Sequence, residues 1–201
     1  MKNRKTKILF CGVLVLIGLF FAGTPVNAAA SSTGPVTVSA TVPSSLELVV
    51  SIADGLTNAT VPSMNFGELI PDTGDYRAKT FFIVQLRISA GGSPHELTQN
   101  GTLLTRNGGG DTIPDGSYIV KPSYNDSVNG GDPQPSGSQM GLIGSAVGNR
   151  LLYRDPIGKN RTITANYTLS GDSNTGATQT IPLSQKAGPY AGNIQFTLTT
   201  T

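Results

Sequence analysis

The sequence has almost no cysteine, histidine or tryptophan, and few of its residues carry a charge. It contains one Cys, one His and no Trp among 201 residues, and 13% of its residues are charged. Cys11 lies in an apolar run near the N-terminus, so the rest of the chain can form no disulfide and no cysteine-based metal site. The remaining chain must therefore be held together by apolar burial and hydrogen bonds.

The first 28 residues have the three-part layout of a secretory signal peptide. Four basic residues lie within the first seven positions, an apolar run follows from 8 to 22, and small residues lead up to Ala28. This run has about 15 residues, whereas a membrane-spanning helix needs about 20. We therefore expect export through the Sec pathway and cleavage after Ala28, with Ala29 and Ala30 as the alternative positions. A retained membrane anchor is the alternative.

Removal of this leader changes the charge of the chain. Residues 1–28 contain four of the 14 Lys and Arg residues and none of the 12 Asp and Glu residues. The remaining chain has ten basic and 12 acidic side chains, which gives a formal charge of −2. No basic field remains to attract nucleic acid, so we expect no nucleic-acid partner.

Short runs in which every second residue is apolar predict an all-β fold. Clear examples are 36–42, 46–52 and 162–169, which are separated by segments rich in Gly, Pro and Asn. Residues 80–88 are the most apolar stretch after the leader and predict a central strand buried on both faces. We expect a single β-sandwich domain of about seven to nine strands over residues 44–201.

Three further segments carry weaker signals. Residues 64–69 predict a short strand that ends at Pro71. Residues 91–117 and 125–139 are rich in Gly, Pro and Asn and predict loose loops.

The sequence contains no set of residues that indicates catalysis, a cofactor or a metal. We expect His95 to be a solvated loop residue, because a lone His cannot build a zinc site and no motif places a nucleophile beside it. Calcium in loops is an alternative for Asp111 with Asp115 and for Asp126 with Asp132, although neither pair has EF-hand spacing. We therefore predict a protein that is not an enzyme and holds no cofactor and no metal.

Two strongly alternating strands lie near the two ends of the exported chain. Every second residue is apolar in 36–42 and again in 194–198. A strand at a sheet edge exposes unpaired backbone groups and invites pairing with another chain. One interpretation is donor-strand complementation, in which the extension of one copy completes the sheet of the next. The other is that 36–42 is the first strand of its own sandwich.

Both ends resemble the subunits of alternate chaperone–usher fimbriae. Val36-Thr37-Val38-Ser39-Ala40-Thr41-Val42-Pro43, followed by Leu46-Glu47-Leu48, is similar to the mature start of those pilins, which also lack the pilin disulfide. The segment Gly188-Pro189-Tyr190-Ala191-Gly192-Asn193-Ile194-Gln195-Phe196-Thr197-Leu198 resembles the terminal strand of chaperone–usher pilins and of the related spore coat protein U family. Asn65-Phe66-Gly67 resembles the short strand that follows the first long strand in these families.

The resemblance implies an immunoglobulin-like, pilin-type β-sandwich that is incomplete until a donor strand fills it. The donor would lie in an N-terminal extension, residues 29–43, and its inward-facing residues would be Val36, Val38, Ala40 and Val42. The strand that lines the groove and contacts a chaperone would carry Gly188, Tyr190, Ile194, Phe196 and Leu198.

The resemblance also implies the partners and the location of the protein. The partners would be further copies of the chain in a head-to-tail polymer, a periplasmic chaperone, an outer-membrane usher, and a glycan or protein receptor on a host or other surface. The chain would cross the periplasm and form part of a surface fimbria, pilus or coat that supports adhesion.

A monomeric surface or cell-wall module that binds glycans is the second interpretation. Tyrosine rings that are exposed on a β-sandwich can stack on sugars. The candidates are Tyr76, Tyr118, Tyr124 and Tyr153.

Overall fold

The computed structural model describes residues 46–201, and its regular structure in that range is almost entirely β-strand. Two short 3-10 turns, Asp115–Ser117 and Ser173–Thr175, complete it. In chain order the strands are β1 Glu47–Asp54, β2 Thr60–Val61, β3 Ile70–Asp72, β4 Asp75–Arg77, β5 Phe82–Ser89, β6 His95–Gly101, β7 Thr105–Arg106, β8 Tyr118–Tyr124, β9 Gln139–Met140, β10 Gly144–Ser145, β11 Gly148–Asp155, β12 Arg161–Leu169, β13 Ile181–Pro182, β14 Tyr190–Ala191 and β15 Ile194–Thr200. The all-β prediction is confirmed.

Two large antiparallel sheets form the layers of a β-sandwich. One has the strand order β10-β8-β12-β5-β1-β2, and the other has the order β15-β6-β11-β9. Two smaller sheets, β13-β4-β3 and β14-β7, complete the described fold. Strand β15 is an edge strand of its sheet and β1 is next to the edge of the other, and residues of both, Ile52 and Ile194 with Phe196, line one groove on the same side of the sandwich.

The core lies between the two large sheets. Side chains from β5, β8 and β12 meet side chains from β6 and β11, and the central ones have no exposed surface, among them Leu86, Leu97, Leu152, Ile163 and Tyr167. In β5, side chains that are buried in the core alternate with more exposed ones. Successive side chains of a strand point to opposite faces, so only the face toward the core needs to be apolar. Gln85 and Arg87 of β5 are exposed, so the prediction that 80–88 is buried on both faces is wrong.

Strand β6, which pairs with both β11 and β15, was predicted as part of a loop. Its inward residues are His95, Leu97, Gln99 and Gly101, and only Leu97 has an aliphatic side chain. A polar inward face hides the alternation of hydrophobicity on which strand prediction depends. His95 is fully buried as the first residue of this strand, so the prediction of a solvated loop residue is wrong.

Two further segments, 62–69 and 125–138, have no regular secondary structure but are held to the sandwich by their side chains. Residues 62–69 form no strand, and the short strand predicted for 64–69 is wrong; Phe66 instead inserts its ring edge-on against Phe82 at 5.0 Å. The loop predicted over 125–139 is a loop up to Ser138. Its Asn129 side chain bonds to both backbone groups of Thr162, accepting from N at 2.8 Å and donating to O at 3.3 Å, and so attaches the loop to β12.

The register of the sheets defines two ends of the sandwich. At the near pole lie the start of β1, where the described chain begins, and the end of β15, since Glu47 pairs with Ser89 and Thr200 pairs with His95. At the far pole lie the end of β1 and the start of β15, where Asp54 pairs with Phe82 and Ile194 pairs with Gly101.

Candidate functional site

The inward face of β1 is incompletely covered. Leu48, Val50 and Ile52 lie opposite buried residues of β5, and directly paired residues of antiparallel strands share a face. These three side chains therefore point toward the core, yet Val50 is still 41% exposed. On its second edge β1 pairs with β2 only at Ile52 and Ala53, so within residues 46–201 the edge from 47 to 51 has no strand partner.

The last strand, β15, shows the same features on the other sheet. Ile194, Phe196 and Leu198 lie opposite buried residues of β6 and point inward, but each is only half-buried. Among residues 46–201, β6 is the one strand that pairs with β15. Within the described range, the outer edge of β15 therefore has backbone donors and acceptors that no strand pairs with.

A groove of about 1040 Å³ lies between these two strands toward the far pole. One wall is formed by Ile52 and the segment 62–69, and the other by Phe196, Ile194 and the segment 185–193. Apolar core residues, among them Val84, Leu104, Ile113 and Leu169, form its floor. The groove is therefore an opening into the hydrophobic core.

This arrangement suits an added β-strand better than a small molecule. A strand laid along β15 would gain backbone hydrogen bonds from the free edge and would bury every second side chain against the apolar floor. The backbone ladder would provide affinity, and the alternating side chains would fix the register.

The structure separates the residues predicted to line the groove into two sets. Ile194, Phe196 and Leu198 share the inward face of β15. Tyr190 belongs instead to β14 and pairs with Arg106 of β7, and Gly188, with a φ of 139°, precedes it beside the Arg106 side chain. The chain turns at Gly192 and Asn193 between the two strands. The predicted donor residues Val36, Val38, Ala40 and Val42 lie outside the described residues.

Sequence reasoning missed the wall of the groove to which β1 contributes Ile52. The alternation of Leu48, Val50 and Ile52 was visible as a strand signal, but nothing in it distinguishes a strand at an open edge from a covered one. The insertion of Phe66 between Phe82 and Tyr118 was also not predicted, because no periodic pattern marks it.

The tyrosines proposed to stack on sugars are mostly unavailable for that role. Tyr118 and Tyr153 are buried, and Tyr76 and Tyr124 are half-buried. The Tyr124 hydroxyl also donates to the backbone oxygen of Asp132 at 3.1 Å, which holds the ring against a loop. The structure thus contradicts the expected exposure of Tyr118 and Tyr153.

A buried polar cluster at the near pole supports the fold. The Asp155 carboxylate accepts hydrogen bonds from the backbone N–H groups of Ile157 and Gly158 at 2.7 and 3.0 Å and from the Tyr153 hydroxyl at 3.2 Å. His95 Nδ1 lies 3.1 Å from the Ser93 oxygen. The bonds from Ile157 and Gly158 to Asp155 close the turn between β11 and β12, and the His95 contact lies in the connection between β5 and β6. Within residues 46–201, no group of three His, Cys, Asp or Glu side chains is arranged to hold a metal ion.

Ionisation of the buried tyrosines offers a test of this core. Burial raises the pKa of Tyr118 and Tyr167, and burial together with the nearby Asp155 charge raises the pKa of Tyr153 to about 12. Unfolded tyrosines ionise near pH 10, so between pH 10 and 12 the unfolded chain loses protons that the folded chain keeps. We therefore expect stability to fall as pH rises above about 10.

Ultraviolet absorbance of phenolate, followed together with circular dichroism, measures this effect. We expect at least three of the six tyrosines to remain protonated at pH 11 while the β-sheet signal persists. Ionisation of all six in a chain that keeps its β-sheet signal would contradict the buried positions.

No family model matches the chain, and a comparison with curated proteins finds no match. In residues 46–201 there is also no helix with the length and apolar character required to cross a membrane.

Proposed function

We propose that the protein is a structural subunit of a surface fimbria, pilus or coat and that it polymerises by donor-strand complementation. The observation that supports this most strongly is the open groove between β1 and β15, with inward side chains on both strands that the described chain leaves partly exposed. In this proposal, the immunoglobulin-like, pilin-type sandwich is completed by residues 36–42 of the next copy.

The segment 36–42 fits this groove in length and pattern. It has seven residues, as does β15, and it lies only three residues before the first described residue, Leu46. Val36, Val38 and Val42, together with the small Ala40, would occupy the apolar side, and the threonines and serine would face out. Burial of three valine side chains would contribute about 5 kcal/mol before the cost of ordering the strand.

Partners and location follow from the same proposal. A subunit whose core is open to water needs a temporary partner before assembly, which is the role proposed for a periplasmic chaperone that contacts β15. We further propose export by the N-terminal leader, passage through an outer-membrane usher, and adhesion at the cell surface through a glycan or protein receptor. The groove would be filled by the chaperone first and by a second copy afterwards.

A chain that carries its own donor at the C-terminus tests the proposal. A copy of residues 34–43, attached after Thr201 by a short Gly-Ser linker, can fold back along β15 because β15 ends at the near pole. We expect this chain to be monomeric in size-exclusion chromatography with light scattering, and to melt at a higher temperature than the unmodified subunit.

The matched control is the same fusion with Asp in place of the second valine of the appended copy. It should behave as the unmodified subunit does and should still enter polymers. If both fusions polymerise and melt alike, the groove does not accept this strand, and the donor-strand proposal is wrong.

A further inference from the structure

A second contact between neighbouring copies follows from the length of the connection between donor and body. Four Cα steps separate Val42 from Leu46, and a fully extended chain spans at most about 14 Å over that length. If 36–42 fills the groove of one copy, as the proposed function requires, the body that supplies it must lie directly against that groove. The two bodies therefore touch.

The strand direction decides which surfaces meet. The segment leaves its own body at the near pole, and β15 runs from the far pole to the near pole. A donor parallel to β15 would bring two near poles together, and the two copies could then exchange segments and close a dimer. An antiparallel donor places Val42 beside Ile194 and brings the near pole of one copy to the far pole of the next. Only the antiparallel arrangement joins the copies head to tail, so that further copies can be added without limit.

At the far pole two leucines are exposed on turns that hydrogen bonds hold in place. Leu56 is 64% exposed in the turn after β1, where its N–H and that of Thr57 both donate to Asp54 Oδ1 at 2.9 Å. Leu103 is 40% exposed in the connection after β6. That connection is tied to the start of β15, because Thr102 and Asn193 exchange hydrogen bonds of 2.9 and 2.8 Å.

The near pole also presents apolar side chains on turns that are held by side-chain acceptors. Ile157 is exposed in the turn closed by the Asp155 carboxylate. Val128 is exposed in the loop after β8, where Asn125 Oδ1 accepts from its N–H at 3.4 Å. Because these turns are already ordered, burial of their side chains would cost little conformational entropy.

We propose that in the polymer Leu56 and Leu103 at the far pole of one copy dock against Val128 and Ile157 at the near pole of the next. This contact rests on the proposed donor-strand function and adds to it a body-to-body interface. It would slow the release of the donor and limit bending between subunits.

Polymers isolated from cells that make the full-length chain allow a test. We compare wild type with Leu56→Ser/Leu103→Ser and with a matched control, Leu142→Ser, which removes a leucine that is 79% exposed in the β9–β10 connection. Polymers are diluted into an excess of a synthetic peptide of residues 34–43, and light scattering follows their dissociation. We expect dissociation about tenfold faster for the double variant, since interface changes act mostly on dissociation, and wild-type behaviour for the control.

An insertion of six Gly and Ser residues between Ser44 and Ser45 provides an independent variant, because it lets the bodies separate while the donor stays seated. It should also speed dissociation and lower the bending stiffness seen by electron microscopy, and in this background the leucine substitutions should have no further effect. If all variants dissociate as wild type does, the pole contact is wrong although the donor strand stands. If wild-type chains form no polymer, both proposals fail.

Discussion

Substitution of Val38 by Asp is expected to abolish polymers while the level of exported protein stays nearly unchanged. In the proposed polymer Val38 is the second inward residue of the donor and lies beside Leu198, an inward residue of β15 that is only half-buried in the subunit. A buried carboxylate without a partner costs several kcal/mol, which is comparable to the whole contribution of the donor valines. In this proposal Val38 packs in the neighbouring copy and not in its own body, so folding should be little affected.

Thr37→Asp is the matched control for this substitution. It adds the same charge to the same segment, one position earlier, where an alternating strand points away from the groove. Gel filtration and electron microscopy of surface material should show polymers for the Thr37 variant and monomers for the Val38 variant. Equal polymer formation by the two variants would argue against inward-facing valines.

Replacement of Gln99 by Leu is expected to destabilise the fold by about 3 kcal/mol, because it leaves two buried polar groups without partners. Gln99 has no exposed surface, and its Nε2 donates to the Ala146 backbone oxygen at 2.8 Å. Its Oε1 accepts from the buried hydroxyl of Tyr167, which lies on β12 of the opposite sheet. One side chain thus joins the two layers of the sandwich.

Urea unfolding of the monomer with the appended donor measures the effect, and Tyr167→Phe completes a double-mutant cycle. The double variant should lose less unfolding free energy than the two single variants lose together. Gln99→Leu leaves the Tyr167 hydroxyl buried without a partner, and Tyr167→Phe removes that hydroxyl. Gln195→Leu, on the exposed face of β15, is the control and should change stability by less than about 0.5 kcal/mol. A Gln99 variant as stable as this control would show that the cross-sheet bond contributes nothing.

The sequence predicted strands well where the inward residues were apolar. Strands β1, β12 and β15 alternate cleanly and lie where the pattern placed them. Strand β6 was missed because the polar residues His95 and Gln99 occupy inward positions. The hydrogen bonds of Gln99 go to Ala146 and Tyr167, which are distant in sequence and give no local signal. Residues 64–69 were misread because apolar side chains there fill the groove wall from an irregular segment rather than from a ladder.

The candidate site could be predicted only in part. The inward face of Ile194, Phe196 and Leu198 follows from alternation alone. The opposite wall does not, because it depends on which strand of the other sheet lies beside β15 and on how far β2 extends along β1. Sheet order is set by contacts between distant segments, and a single sequence does not reveal them.

The pairing of β1 with β5 has a mechanical consequence for an assembled filament. These strands are joined by eight successive residue pairs, from Glu47 with Ser89 to Asp54 with Phe82. Tension on a filament of the proposed kind would reach each body through Leu46, along the axis of β1, and all eight pairs would bear the load together in shear. Rupture would then be expected at the seated donor between subunits, and each domain would remain folded under a pull that separates its neighbours.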